Sequence, residues 1–264
     1  MDDVFLIDSH CHLIFESFKD DLEEVAQRWR DKGVKKLIHA CVELSEIPKI
    51  KKIANEYSEI YYSVGLHPLD AEKWDFNSQS TLKRAILDDN RIVAIGEIGL
   101  DLFKSKNIKT QIAALIPQLK IAVECNLPVI IHCRNAASEM INIFKDLNSR
   151  NICPRGVMHC WSGTPREMKE FLDLGFYISF SGIVTFPKAL ETHNCAKIVP
   201  NDKYLIETDS PFLAPVPFRG KRNEPSFVES VALSLASIRS SEFETIAIES
   251  SRNAEKLFNF EMVN

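Results

Sequence analysis

Two histidines two positions apart, His10 and His12, follow the short apolar run Val4–Asp8. On an extended chain, residues two apart share a side, so both imidazoles face one way and Cys11 the other. Paired neutral imidazoles on one face are a natural grip for a divalent metal. Such a pair alone is more often two satisfied histidines, but other apolar runs also end in polar groups: Glu97, His132, His159 and Asp209. Four imidazoles and two carboxylates brought together are too costly to bury without a compensating charge. Two divalent cations supply it. The expected arrangement holds a first ion on His10, His12 and Asp209 and a second on His132 and His159, with Glu97 bridging. One shared carboxylate keeps the ions about 3.5–4 Å apart, close enough to share a hydroxide and clamp one phosphate. Asp209 then stands where it can orient or deprotonate that water. Four imidazoles suit bound Zn²⁺ or Mn²⁺ better than Mg²⁺, which prefers oxygen.

The elements that must bring these residues together are eight short β-branched and apolar runs: 4–8, 36–41, 60–64, 92–96, 129–132, 156–159, 176–179 and 204–207. Longer stretches with helical spacing separate them. Ile108, Ile112, Leu115, Ile116, Leu119 and Val123 mark one helical stripe, which Pro117 interrupts as a kink or helix start. Ser45 and Pro48 suit the N-terminus of a helix reaching Tyr57. Residues 241–260 read as an extra amphipathic helix pair. Nearly continuous apolar strands alternating with helices indicate a parallel sheet covered by helices. No linker divides the chain, and 264 residues match one (β/α)₈ barrel spanning 1–264. An open doubly wound sheet is the competing topology, because alternation alone does not show closure. In a barrel, all the polar strand ends share one rim, where active sites are built.

Composition excludes several classes. With 45% hydrophobic and 26% charged residues, the chain is an ordinary globular α/β protein rather than a disordered or fibrous one. Its 32 basic and 37 acidic residues leave a net charge of −5, so any polyanion must meet a local basic patch or a metal. Seven scattered cysteines without a CxxC pair argue against a disulfide framework or a zinc ribbon. The opening residues lack a basic leader, and no apolar run is long enough for a bilayer; the expectation is a cytoplasmic protein with no membrane association.

The motifs run in order along nearly the whole chain. They are Asp8-Ser9-His10-Cys11-His12, Val64-Gly65-Leu66-His67-Pro68, Gly96-Glu97-Ile98-Gly99-Leu100-Asp101, Ile131-His132-Cys133-Arg134, His159-Cys160-Trp161-Ser162-Gly163, Ser179-Phe180-Ser181-Gly182, Glu207-Thr208-Asp209-Ser210-Pro211 and Arg219-Gly220-Lys221-Arg222-Asn223-Glu224-Pro225. In these the chain resembles the TatD family of metal-dependent hydrolases, within the amidohydrolase superfamily. The resemblance implies a (β/α)₈ barrel, a divalent-metal centre at the positions above, and deoxyribonuclease activity that removes nucleotides from the 3′ end, commonly supported by Mg²⁺. Amidohydrolases bridged by a carbamylated lysine need a lysine where this chain has Glu97, which favours the TatD branch. The loop 102–107 departs from the family pattern, reading Leu-Phe-Lys-Ser-Lys-Asn where relatives often carry an aromatic pair and an arginine.

His67 is expected on the rim, contacting phosphate or supporting the site. Arg134 could receive a phosphate oxygen or form a surface salt bridge. The basic segment with Arg219, Lys221 and Arg222 can hold a phosphodiester backbone. Trp161 and Phe180 could stack on a base, although packing is the commoner role for aromatics. Cys11, Cys133 and Cys160 are read as inert wall residues, and His39 and His193 receive no role. The expected function is a metal-dependent phosphodiesterase, with Asp209 and Glu97 catalytic and DNA, single-stranded or at 3′ ends, as substrate; no obligate protein partner is expected. Hydrolysis of a small ester, lactone or amide is the first alternative, and a noncatalytic metal-binding scaffold the second.

Overall fold

The computed structural model describes residues 4–260. All eight apolar runs form strands: β1 (Leu6–Cys11), β2 (Val34–His39), β3 (Ile60–Val64), β4 (Ile92–Asp101), β5 (Val129–Arg134), β6 (Gly156–Met158), β7 (Tyr177–Phe180) and β8 (Tyr204–Ile206). Every neighbouring pair is parallel, and the order in the sheet is the order in the chain. A doubly wound sheet would reverse that order part-way. Here the last strand instead returns to the first. A bridge joins Cys11 to Ser210, the His12 amide donates to the Ser210 carbonyl (2.8 Å) and the Asp209 amide to the His10 carbonyl (2.9 Å). The result is a nearly closed TIM barrel, sealed at the residues read as metal ligands.

Four strands outrun their sequence boundaries at the polar rim, β5 to Arg134, β7 to Phe180, and β1 and β4 by three residues or more. β1 continues through His10, and β4 runs ten buried residues to Asp101 with a register shift between Ile95 and Ile98. Gly99 permits the extension of β4. Its φ is 150°, and a Cβ there would lie 1.9 Å from the His132 carbonyl oxygen, so a side chain would drive β4 away from β5.

The helices between strands are α1 (Leu22–Asp31), α2 (Ile47–Glu56), α3 (Ser78–Asp88), α4 (Ile108–Glu124), α5 (Ala137–Ser149), α6 (Pro165–Asp173) and α7 (Leu190–Ile198), followed by α8 (Val228–Arg239) and α9 (Phe243–Phe258). α2 begins at Ile47 rather than after Ser45, because Leu44–Glu46 forms a 3₁₀ turn in which Glu43 and Glu46 cap each other. Pro48 lies in the first turn of α2 as expected. α4 carries Pro117 inside one continuous helix. The tail holds one helix, α9, rather than a pair; its partner α8 lies before residue 241.

The core has two parts. The larger fills the space between sheet and helices. The smaller draws residues from all eight strands, among them Ile7, Ile38, Tyr61 and Ile130, together with Leu257 and Phe258 of α9. Residues from every strand can meet only on the barrel axis, so the end of α9 closes the face opposite the polar rim. Among the described residues, no helix is long and apolar enough to cross a membrane.

Candidate metal centre

Strand alternation and barrel closure bring His10, His12, Glu97, His132, His159 and Asp209 to one place. Glu97, from the middle of β4, organises them. Its Oε2 lies 3.4 Å from His10 Nε2 and 3.8 Å from His12 Nε2. Its Oε1 lies 2.7 Å from His132 Nδ1, 2.9 Å from His159 Nε2 and 3.5 Å from His67 Nε2. Asp209 completes the first set, its Oδ1 being 3.7 Å from His10 Nε2 and 3.5 Å from His12 Nε2, while those two nitrogens are 3.1 Å apart. Donors on a tetrahedral ion at 2.0–2.1 Å stand about 3.4 Å from one another, so these spacings fit the edges of a coordination shell. The groups able to hold an ion are His10 with His12 and Asp209, His10 with Glu97 and His159, and His67 with Glu97 and His132.

Backbone and carboxylate partners aim the rings. His12 Nδ1 donates to the Ala40 carbonyl (3.1 Å), leaving Nε2 for the centre. His159 Nδ1 faces Glu207 Oε1 at 3.2 Å, and the same oxygen accepts the Cys160 amide at 2.8 Å. His132 turns Nδ1 to Glu97 and Nε2 to Asp101 Oδ2 (3.1 Å). Carboxylates behind metal-binding imidazoles fix tautomer and orientation and raise ligand basicity. Buried Asp8 accepts both the amide (2.9 Å) and the hydroxyl (2.6 Å) of Thr208, tying β1 to the segment that presents Asp209. Two buried glutamines of α4 do similar work. Gln111 pairs with the amide and carbonyl of Asp101, and Gln118 with those of Leu66, which precedes His67.

A family model described as TatD related DNase matches residues 7–259. The chain belongs to the TatD family. It is 39% identical over 254 residues to the metal-dependent hydrolase YabD of Bacillus subtilis, covering 96% of this chain and 98% of that one. It is 32% identical over 264 residues to the 3′-5′ ssDNA/RNA exonuclease TatD of Shigella flexneri, covering 96% and 98%. The crystal structure of the TatD homologue YjjV from Escherichia coli superposes with a TM-score of 0.89 at 32% identity, covering 97% and 98%. A metal-dependent hydrolase with this barrel accounts for the buried histidine and carboxylate clusters.

Charge in the TatD centre is shared between the two residue types. Burial works to raise the pKa of Glu97, but the charges of His159 and His67 and the bonds from His10 and His132 hold it well below the usual carboxylate range. Asp209 follows the same balance: burial opposes ionisation, while the bond from His12 and the charges of His10 and His159 outweigh it. For His159, burial is overcome by the charges of Glu97 and Glu207, and its pKa stands well above normal. Burial and the neighbouring His159 push His10 the other way. Both carboxylates therefore remain ionised. His12, His132 and His159 have pKa values above normal, so a metal held there would have to compete with protons.

The centre forms the floor of a cavity of about 540 Å³. His67 lines it, as do Arg134 and Lys104. The Arg134 guanidinium lies 4.0 Å above the Phe103 ring, so the loop that lacks the family's arginine faces one supplied by β5. Arg219, Lys221 and Arg222 do not line the cavity among the described residues. Arg219 stacks on Phe186 at 3.8 Å, Lys221 is exposed, and Arg222 makes a double 2.7 Å contact with Asp21. Trp161 and Phe180 are buried, at 4% and 0% exposure, and pack in the main core rather than the cleft. Cys11 is buried away from the cavity, whereas Cys133 and Cys160 line it. His39 accepts the Ile14 amide (3.2 Å), and His193 donates to the Val184 carbonyl (2.9 Å). Sequence reasoning passed over Asp101, Glu207 and Lys104. The two carboxylates carried a signal, since each stands two residues or fewer from a ligand or its strand partner at the polar end of an apolar run.

Proposed function

We propose that this TatD protein is a two-metal phosphodiesterase that removes nucleotides from the 3′ end of single-stranded DNA. The observation that carries the proposal is Glu97, whose two oxygens face separate imidazole sets on the floor of a cavity flanked by Lys104 and Arg134. A carboxylate so divided suits a pair of ions about 3.5–4 Å apart. Zn²⁺ or Mn²⁺ fits the nitrogen-rich donors, and Mg²⁺ or Mn²⁺ serves as the activating ion. Such ions supply Lewis acidity toward a phosphoryl oxygen and lower the pKa of water in their reach.

The chain's own groups do the rest. Ionised Asp209, beside His10 and His12, accepts the proton of the attacking water. Arg134, held 4.0 Å from the centre of the Phe103 ring, presents a fork that matches phosphate geometry, and Lys104 adds a second cation to the cavity lining. His67 stands close enough to Glu97 to serve the metal or a phosphate oxygen. Arg219 and Lys221 are exposed on the loop following Asp209, outside the cavity. The name of the Shigella relative supports this substrate and polarity.

The test compares single- and double-stranded DNA labelled at either end with a panel of small esters and lactones, in Mg²⁺, Mn²⁺ and Zn²⁺. Metal-dependent shortening from the 3′ end, faster on single strands, is expected. Turnover of the carbonyl substrates with none of DNA overturns the reading in favour of a small-substrate hydrolase.

A further inference from the structure

The rim aromatics and the metal ligands occupy one cavity, and they are unequally placed around it. Phe212 is 49% exposed, although it follows Asp209 by only three residues. Its backbone is pinned: its amide donates to the Asp209 carbonyl (2.9 Å), and its own carbonyl accepts from the buried Asn223 side chain. Phe15 packs edge to face against Phe212, with ring centroids 5.5 Å apart, and stands equally far from the His12 ring. Both phenylalanines line the cavity, with Ile183 and Leu213 continuing the apolar wall. Lys104 and Arg134 form the cationic wall, next to His132 in β5.

We propose that Phe212, backed by Phe15, is a ledge that stacks the base of the substrate's terminal nucleotide, so that the enzyme selects ends whose last base is unpaired. The inference rests on the phosphodiesterase reading above and adds the group that recognises the nucleoside. Phe15 and Phe212 follow β1 and β8, whereas Lys104 follows β4 and Arg134 ends β5, half the barrel away. An apolar ring facing cations across metal ligands matches a molecule with a flat apolar face joined to an anionic diester. A neutral ester has no use for both walls. Stacking on an aromatic side chain is tolerant of sequence, because every base offers a π-face. It also requires the base to leave its partner, which gives preference for single strands without any contact that reads sequence.

The metal-loaded enzyme would be given a 5′-labelled single-stranded hexanucleotide ending in thymidine and the same strand ending in an abasic deoxyribose. The wild type is expected to remove the base-bearing terminus with a kcat/KM about 5- to 150-fold higher, the range that stacking one base represents. In Phe212→Ala that preference falls to within about twofold, and in Phe212→Trp it persists. Phe212→Leu keeps bulk against Phe15 without the ring and gives the same loss of preference, so a packing defect in the alanine variant leaves the test intact. Equal rates on the two substrates by the wild type, or an undiminished preference in both Phe212→Ala and Phe212→Leu, overturns the ledge. Cleavage of neither substrate by the wild type overturns the phosphodiesterase reading instead.

Discussion

Asp209 adopts φ = 58°, a left-handed conformation that aspartate and asparagine tolerate better than other residues bearing side chains. That geometry turns its carboxylate back toward His10 and His12, and makes Asp209→Asn a mild structural change with a large chemical one. The amide keeps an oxygen for the metal but does not accept a proton. The expected outcome is a folded, metal-containing variant whose kcat is lower by about 10²–10⁴-fold, read by single-turnover hydrolysis of end-labelled DNA. A turnover close to that of the wild type would assign the proton to another group. The clustering of these histidines and carboxylates was legible in the sequence because such a group interrupts an otherwise apolar strand only under some compensating charge. Phe15 and Phe212 were not legible, since a single aromatic in a loop has no period to mark its face. Trp161 and Phe180 looked equally suited to a base, and only burial separates the two pairs.

At the scale of elements, positioning comes from outside the strands as much as from within them. The two glutamines of α4 replace missing ladder partners for Asp101 and Leu66, the backbone points from which the second set of imidazoles is aimed. Periodicity located this helix but could not tell a buried glutamine from an exposed one. The loop after β8 offers a second case. Its basic run reads as a phosphate site, yet Arg222 binds Asp21, and buried Glu224 receives both Nε and Nη2 of Arg28 at 2.8 Å, fastening the loop to α1. Burial opposes ionisation of Glu224, but Arg28 and Ser226 hold its pKa below the ordinary value. A carboxylate depressed on folding stabilises fully above its unfolded pKa of about 4.3, and loses that contribution as pH falls through the folded value. Glu224→Gln is therefore expected to cost about 1–3 kcal/mol near pH 7, discounted for the partly exposed Arg28, and progressively less below about pH 4. Urea denaturation of both proteins across that range checks it, and a cost that does not change with pH would contradict the assignment.

The whole molecule divides its two ends between stability and chemistry. α9 plugs one end of the barrel with apolar side chains, while at the other the sheet closes through His10, His12, Asp209 and Ser210. Eight alternating runs were enough to suggest the barrel. Its closure was not readable, because it depends on hydrogen bonds between residues some 200 positions apart, and these include residues proposed to hold the metal. Fold and centre are thus coupled. The most direct test titrates Mn²⁺ into chelator-treated protein while following release of terminal nucleotides from 5′-labelled single-stranded DNA, with Glu97→Gln in parallel. A two-metal centre bridged by Glu97 gives no hydrolysis in chelator, activity that rises as two equivalents bind, and little or none in the variant; hydrolysis undiminished by chelator, or full activity with Glu97→Gln, would contradict it.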